Sequence, residues 1–182
     1  EVDDAAEFEA VQRALLARWP EHRIAPDLSR IEQLCDLLAE PQLTSPVIHV
    51  AGTNAKTSVS RIIEALLRAL GLRTGLMTSP ALRDLTERLE LDGEQVSAQR
   101  FVESYRQIEP YLEIVDAASV AQGGPPMTMF DVVTALGYAL FADAPVDVAV
   151  VEAGMGGRWD ATNVNQAEVA VITPIGMDHT EY

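Results

Sequence analysis

The 182-residue chain holds a single cysteine, Cys35, so no disulfide can form within it. A small secreted scaffold stapled by disulfides is thereby excluded, and a reducing compartment, the cytoplasm, is expected. Cys35 falls in an apolar helical pattern and reads as inert core. Basic residues are also scarce: 13 Lys and Arg stand against 28 Asp and Glu, a formal charge of −15. A field of that sign repels phosphate backbones unless cations gather on one face, and no basic stripe is present, so nucleic-acid binding is not expected. No stretch approaches the roughly 20 apolar residues of a membrane-spanning helix, and "EVDDAAEFEA" lacks the cationic start and apolar run of a signal peptide. Internal repeats and low-complexity segments are missing too. What is there is 48% hydrophobic, enough at this length to bury the core of one domain with appendages.

The apolar residues fall into two periodicities. Phe8, Val11, Leu15 and Trp19 recur at helical spacing, as do Leu28, Ile31, Leu34, Cys35 and Leu38, with Asp27 able to cap the second run. Pro46 then precedes Val47 to Ala51, a short apolar run with β-branched residues that reads as a buried strand. The helix after it carries Val59, Ile62, Ile63, Leu66, Leu67 and Leu70 on one face, and Gly71 is placed to end it. A second strand fits 73–78, and Asp92-Gly93 between extended segments marks a hairpin turn. Ser97 caps a helix bearing Phe101, Val102, Tyr105 and Ile108. Thr128 starts another, bearing Val132, Val133, Leu136, Ala139 and Leu140. Two near-continuous apolar strands, "VDVAVVEAG" and "AEVAVITPIG", follow. Helices alternating with buried strands predict an α/β fold: a largely parallel sheet flanked by helices, with a small β-hairpin insertion.

Between the first strand and its helix lies "GTNAKTS", Gly52, Thr53, Asn54, Ala55, Lys56, Thr57 and Ser58. A helix N-terminus presents unpaired backbone N–H groups and partial positive charge, so a loop that wraps them around an anion makes a phosphate site. Lys56 supplies a point charge to outer phosphates, and the Thr57 hydroxyl can reach a magnesium ion. The pattern is shorter than G-x-x-x-x-G-K-[ST], because Val50 stands where the first glycine would fall. A capped helix with a solvated lysine is the competing reading. Position decides between them, since the loop follows a buried strand and opens an amphipathic helix, as ligand binding at the carboxyl edge of a sheet requires. Glu152 ends its own strand just before a glycine-rich turn, which aims a carboxylate at the same cleft; buried without a partner, it would be costly.

The stretch "HVAGTNAKTS" resembles the ATP loop of the Mur ligase superfamily, usually G-T-N-G-K-[GT]-[ST]. Within it, "TSPALRDLTERLELDGEQVS", "MTMFDVVTALGYALF", "VEAGMGGRWDATN" and "VITPIGMDH" resemble folylpolyglutamate synthase and dihydrofolate synthase, in the family's order, from about Ile24 onward. The resemblance implies a P-loop NTPase-like Mur ligase central domain, truncated here. Residues 1–45 form an N-terminal helical segment packed on the core, and 46–182 form the N-terminal part of the ATP-binding domain. The rest of that domain and a C-terminal glutamate-ligase domain are missing. It further implies an ATP-dependent amide ligase joining L-glutamate to dihydropteroate or folates through an acyl phosphate, monomeric when intact, with the fragment inactive alone. ATP and magnesium are the implied cofactors, with manganese also accepted. Lys56 and His179 are the implied catalytic residues, and Ser79, Glu152 and His179 join Thr57 around the metal. Oxygen ligands suit magnesium, whereas imidazole suits it less. On the pterin side the family implies Ile24, Ala25 and Pro26, Pro80, Ala81 and Leu82, Thr128, Met129, Phe130 and Asp131, and Trp159. Met129 and Phe130 fit the wall of a flat aromatic site, although Thr128 and Asp131 also have capping-box spacing, which needs no ligand. Arg88 and Arg158 are cations that meet carboxylates, phosphates or surface partners.

Three positions depart from the pattern: Ala55 for glycine, Ala81 for histidine and Asp131 for glutamate. Alternatives to the folate ligase are a Mur-type ligase of a nucleotide-linked peptide, against which "ERLELDGEQVS" and "MTMFD" argue, and a non-catalytic nucleotide- or pterin-binding module.

Overall fold

A computed structural model of the chain describes residues 2–18 and 27–177. Trp19, expected to continue the first apolar stripe, lies outside them. Helices α1 (Val2–Leu16) and α2 (Ser29–Leu37) lead into β1 (Val47–Ala51), α3 (Lys56–Ala69) and β2 (Thr74–Met77). The hairpin β3 (Leu89–Leu91) and β4 (Glu94–Gln95) follows, then α4 (Ala98–Ala121), α5 (Met129–Asp143), β5 (Val148–Glu152) and β6 (Val169–Ile172). The six strands form one sheet in the order β4-β3-β2-β5-β1-β6. The β2–β5, β5–β1 and β1–β6 pairs are parallel, and β3 and β4 are antiparallel at one edge. The expected α/β architecture is thus present, and the hairpin extends the same sheet. Its turn has Asp92 and Gly93 both at positive φ, 51° and 78°, the conformation that an Asp-Gly pair tolerates.

Local chemistry starts and stops these elements. Ser97 caps α4 by accepting the Arg100 N–H at 3.1 Å. Thr128 and Asp131 form a reciprocal capping box at the start of α5, at 2.9 and 3.0 Å. At α2 the expected cap is displaced by one residue: Leu28 occupies the cap position, and Asp27 instead accepts the Ser29 N–H and hydroxyl. Asp27 thereby stays below its ordinary carboxylate range, chiefly through that N–H.

Strand alternation divides the apolar residues between two layers. Val47, Met77, Ala149 and Val151 face α4, α5 and the N-terminal helices, forming the main core with Phe101, Leu136 and Tyr138. The Phe8 and Phe101 rings meet edge to face, 5.7 Å apart, tying α1 to α4. Val50, Leu76 and Val150 face the other way, where Val59, Ile63 and Leu67 of α3 cover them. The six-residue face expected for α3 is therefore two stripes: Ile62, Leu66 and Leu70 are exposed. They lie one step around the helix from the packed residues, beyond the stripe that the sheet covers. Cys35 is fully buried, and desolvation pushes its thiol up to about 12, which keeps it inert. Among the described residues no helix is long and apolar enough to cross a membrane.

Candidate nucleotide and metal site

The carboxyl ends of β1, β2 and β5 meet at the N-terminus of α3. Residue parity decides what points there: Val148, Val150 and Glu152 alternate onto the α3 face, and β1 and β5 pair with Val50 opposite Glu152. Glu152 is almost wholly buried, and Thr57 Oγ1 lies 2.9 and 3.0 Å from its two carboxylate oxygens. The Ser79 N–H donates to the same carboxylate at 3.2 Å, while Thr57 Oγ1 lies 3.4 Å from the Ser79 carbonyl. Three residues from three elements thus converge on one point. Burial raises the Glu152 carboxyl above its ordinary range, opposed by the Ser79 N–H, the Thr57 hydroxyl and the nearby Lys56 and Arg61 charges.

The loop before α3 is held from the side. Thr53 and Asn54 both direct their N–H groups to the Pro174 carbonyl, at 3.1 and 3.3 Å, and Thr53 Oγ1 accepts the Gly176 N–H at 3.1 Å. Gly52 sits at φ 137°, where an added Cβ would fall 2.1 Å from Thr173 Oγ1, so only glycine lets β1 pass this segment. Ala55 caps α3 in the left-handed region, φ 67° and ψ 11°, and Val59 is bonded back to its carbonyl at 2.9 Å. The N–H groups of Ala55 to Ser58 therefore precede the helical ladder and are oriented for an anion. Gly176 lies three residues before His179, which falls outside the described residues, as do Ile24, Ala25 and Pro26.

Among the described residues no three His, Cys, Asp or Glu side chains gather around a common point. A divalent ion beside Glu152 would rest on one carboxylate and neutral oxygens of Thr57 and Ser79. That all-oxygen set fits magnesium. The buried carboxylate adds to the fit, since a cation would relieve the cost that now raises its pKa.

The described residues among those expected on the pterin side divide into ones next to Ser79 or the turn after Glu152 and ones held in the core or in a helix cap. Pro80, Ala81 and exposed Leu82 continue directly from Ser79, and the Ser79–Pro80 bond is cis. Phe130 packs against the turn after Glu152: a Cβ on Gly154 would come within 2.6 Å of its ring. The Arg88 guanidinium lies over the same ring, 5.6 Å from its centre. Met129 is part of the main core, Thr128 and Asp131 hold each other in the capping box, and Trp159 is 61% exposed on the turn. Burial raises the Asp131 carboxyl.

Four residues that shape the site lie within the quoted motifs but were given no role there. Asp160 accepts N–H groups of Met155 and Thr162 at 2.8 and 3.0 Å, closing the glycine-rich turn. Its signal was available, since Asp followed two residues later by Thr is an Asx-turn pattern. His49 and Thr162, bonded at 2.8 Å, are buried between β1 and that turn. Pro174 gave no signal, because its carbonyl acts on a loop distant in sequence.

No protein-family model matches the chain. It is 55% identical over 183 residues to the dihydrofolate synthase/folylpolyglutamate synthase of Mycobacterium tuberculosis, covering 99% of this chain and 38% of that protein. Among solved structures, Mycobacterium tuberculosis folylpolyglutamate synthase complexed with ADP superposes with a TM-score of 0.91 at 52% identity, over 98% of this chain and 39% of that one. A structure described as an FPGS-AMPPCP-folate complex has a TM-score of 0.86 at 34% identity, over 96% of this chain and 42% of that one. The chain thus spans about two fifths of the length of these relatives.

Proposed function

Because the chain belongs to the folylpolyglutamate synthase/dihydrofolate synthase family, we propose that it forms the nucleotide-binding part of an ATP-dependent ligase that adds L-glutamate to dihydropteroate, to folates or to both. The observation that carries this reading is the meeting of Thr57, Ser79 and Glu152 at the mouth of the helix that Lys56 opens. The ADP, AMPPCP and folate bound by the two related structures support it.

In this reading residues 46–182 are the N-terminal part of the ATP-binding domain and 1–45 a helical flank on it, in a cytoplasmic protein that is monomeric when whole. The N–H groups of Ala55 to Ser58 and the Lys56 ammonium hold the outer phosphates of ATP. Thr57, Ser79 and Glu152, with His179, hold a magnesium ion, which when bound neutralises phosphate oxygens. Manganese would suit the same ligands. Phosphoryl transfer to a carboxylate crowds negative oxygens together, so fixed dipoles and a cation serve better than a nucleophilic side chain. The hydrogen-bonded Thr57–Glu152 pair, with its carboxylate almost wholly buried, keeps those groups in place. Phe130 and Trp159, with Ile24 to Pro26, Pro80 to Leu82, Thr128, Met129 and Asp131, border the pterin.

The test is glutamate-dependent phosphate release by the full-length protein, supplied with dihydropteroate or a reduced folate. Lys56→Ala is expected to lower kcat by about 100-fold or more, the scale on which removing one preorganised cation or donor acts. Full activity in that variant would remove the loop from the mechanism.

A further inference from the structure

His49 is a buried imidazole in the strand that leads to the phosphate loop, and the nucleotide reading gives it no role. Parity explains its aim: it shares a face with Val47, toward α5, while Glu152 faces α3. Its Nε2 lies 2.8 Å from Thr162 Oγ1, which is hydrogen-bonded to Asp160 Oδ1. The donors can be assigned by inventory. Asp160 Oδ1 also receives the Thr162 N–H and Oδ2 the Met155 N–H, so both oxygens serve as acceptors. The Thr162 hydroxyl proton is therefore committed to Asp160, and His49 must donate Nε2–H to the Thr162 oxygen.

Resting on the ligase reading above, we infer that His49 is a positioning residue for the pterin side of the site: the directed chain His49 to Thr162 to Asp160 fixes the 153–160 turn that backs Phe130 and carries Trp159. Three further bonds make the anchor rigid. Tyr138 donates its hydroxyl to the Thr162 carbonyl at 2.8 Å, and the Asn165 amide reaches that carbonyl and the Tyr138 oxygen at 2.6 and 2.9 Å. Thr162 is fully buried and His49 and Asp160 nearly so, which makes the bonds directional and their loss costly. Desolvation lowers the His49 pKa, opposed by Asp160, in keeping with a neutral donor. His49 bonds to Thr162, whereas the phosphate loop's own lateral bonds go to Pro174 and Gly176, so the two halves of the site are steadied separately.

The experiment uses the full-length protein and calorimetric titration with dihydropteroate and, separately, with ADP. His49→Leu is expected to weaken dihydropteroate binding by up to about tenfold, the upper end of the scale for one hydrogen bond between neutral groups, and to leave ADP binding within about twofold. His49→Gln, whose side-chain amide can donate to Thr162, restores dihydropteroate binding to within about threefold of the parent. Thr162→Val and Thr162→Ser repeat the contrast where His49→Leu fails to fold. Hydrogen exchange at the Met155 and Thr162 amides supplies a ligand-free readout, faster in His49→Leu and recovered in His49→Gln. Equal weakening of ADP and dihydropteroate, no rescue by glutamine, or unchanged exchange at Met155 overturns the relay. A parent protein that exchanges as expected but binds neither dihydropteroate nor a reduced folate refutes the pterin reading, and with it the substrate half of this inference.

Discussion

On one face of the sheet, α4, α5 and the N-terminal helices bury Phe101, Met127, Leu136 and Tyr138; on the other, α3 alone among the described elements covers Val50, Leu76 and Val150. The polar convergence of Thr57, Ser79 and Glu152 lies on the thinner side, at the end of its single helix. The division separates two demands. Cooperative stability comes from the thick layer, where apolar burial at about 25 cal/mol per Å² accumulates. The thin layer can then hold an almost buried carboxylate and a left-handed alanine, each of which costs stability. Substitutions that exchange these roles test the division.

The largest contrast is between two leucines. Leu136 is completely buried on α5, whereas Leu66 on α3 is 61% exposed. In the 182-residue chain, Leu136→Ala is expected to lower unfolding free energy by about 2–5 kcal/mol, through lost transfer energy and a cavity. Leu66→Ser should stay within about 0.5 kcal/mol, as for other exposed positions. Urea denaturation with unchanged m-values measures both. Comparable losses would mean that the α3 face carries as much of the stability as the other.

A smaller effect isolates the carboxylate. The folded-state pKa of Glu152 is raised above the reference value of 4.5 by burial, so folding favours the protonated form. Its contribution is then fully present below the unfolded value and is lost as pH rises through the higher folded one. Asp131, also raised by burial, acts in the same direction. Without a divalent ion, Glu152→Gln should raise the denaturation midpoint at neutral pH and flatten its pH dependence. Magnesium at about ten times its dissociation constant should add about 1.4 kcal/mol to the parent and far less to the variant. Equal gains would place the ion elsewhere.

The architecture was legible because its signals are local. Alternation of strand and helix periods, the Asp-Gly turn and the capping box all act within a few residues, and each recurs in the fold. Glu152 was legible for a related reason: a carboxylate ending an apolar strand has to find a partner. Residues whose meaning depends on distant partners were harder to read. A strand buried on both faces shows no alternation, so His49 resembled its apolar neighbours in position, and Thr162 is 113 residues away. The six apolar residues of α3 showed how wide the apolar face is, but the neighbouring layer determines which stripe is covered. Thr53 illustrates the same limit, since its lateral bonds depend on the approach of Pro174 and Gly176.

Ala55 tests the thin face at the scale of a single methyl group. At φ 67° its Cβ crowds the backbone, a cost on the order of 1 kcal/mol that glycine would not incur. Glycine, however, has more unfolded freedom to lose, about 0.4–1 kcal/mol, so the two terms nearly cancel. Ala55→Gly should therefore move the urea midpoint by no more than about 0.5 kcal/mol in equivalent stability. Nucleotide binding is not subject to that cancellation, because the unfolded chain does not enter it. Removing an exposed methyl beside the first N–H groups of α3 lets the backbone approach a phosphate more closely, so ADP affinity should rise by about two- to fivefold, within 1 kcal/mol. Calorimetric titration of the parent and the variant under one magnesium concentration measures this. Weaker ADP binding by Ala55→Gly would show that the alanine preorganises the loop, and that its strain contributes to binding.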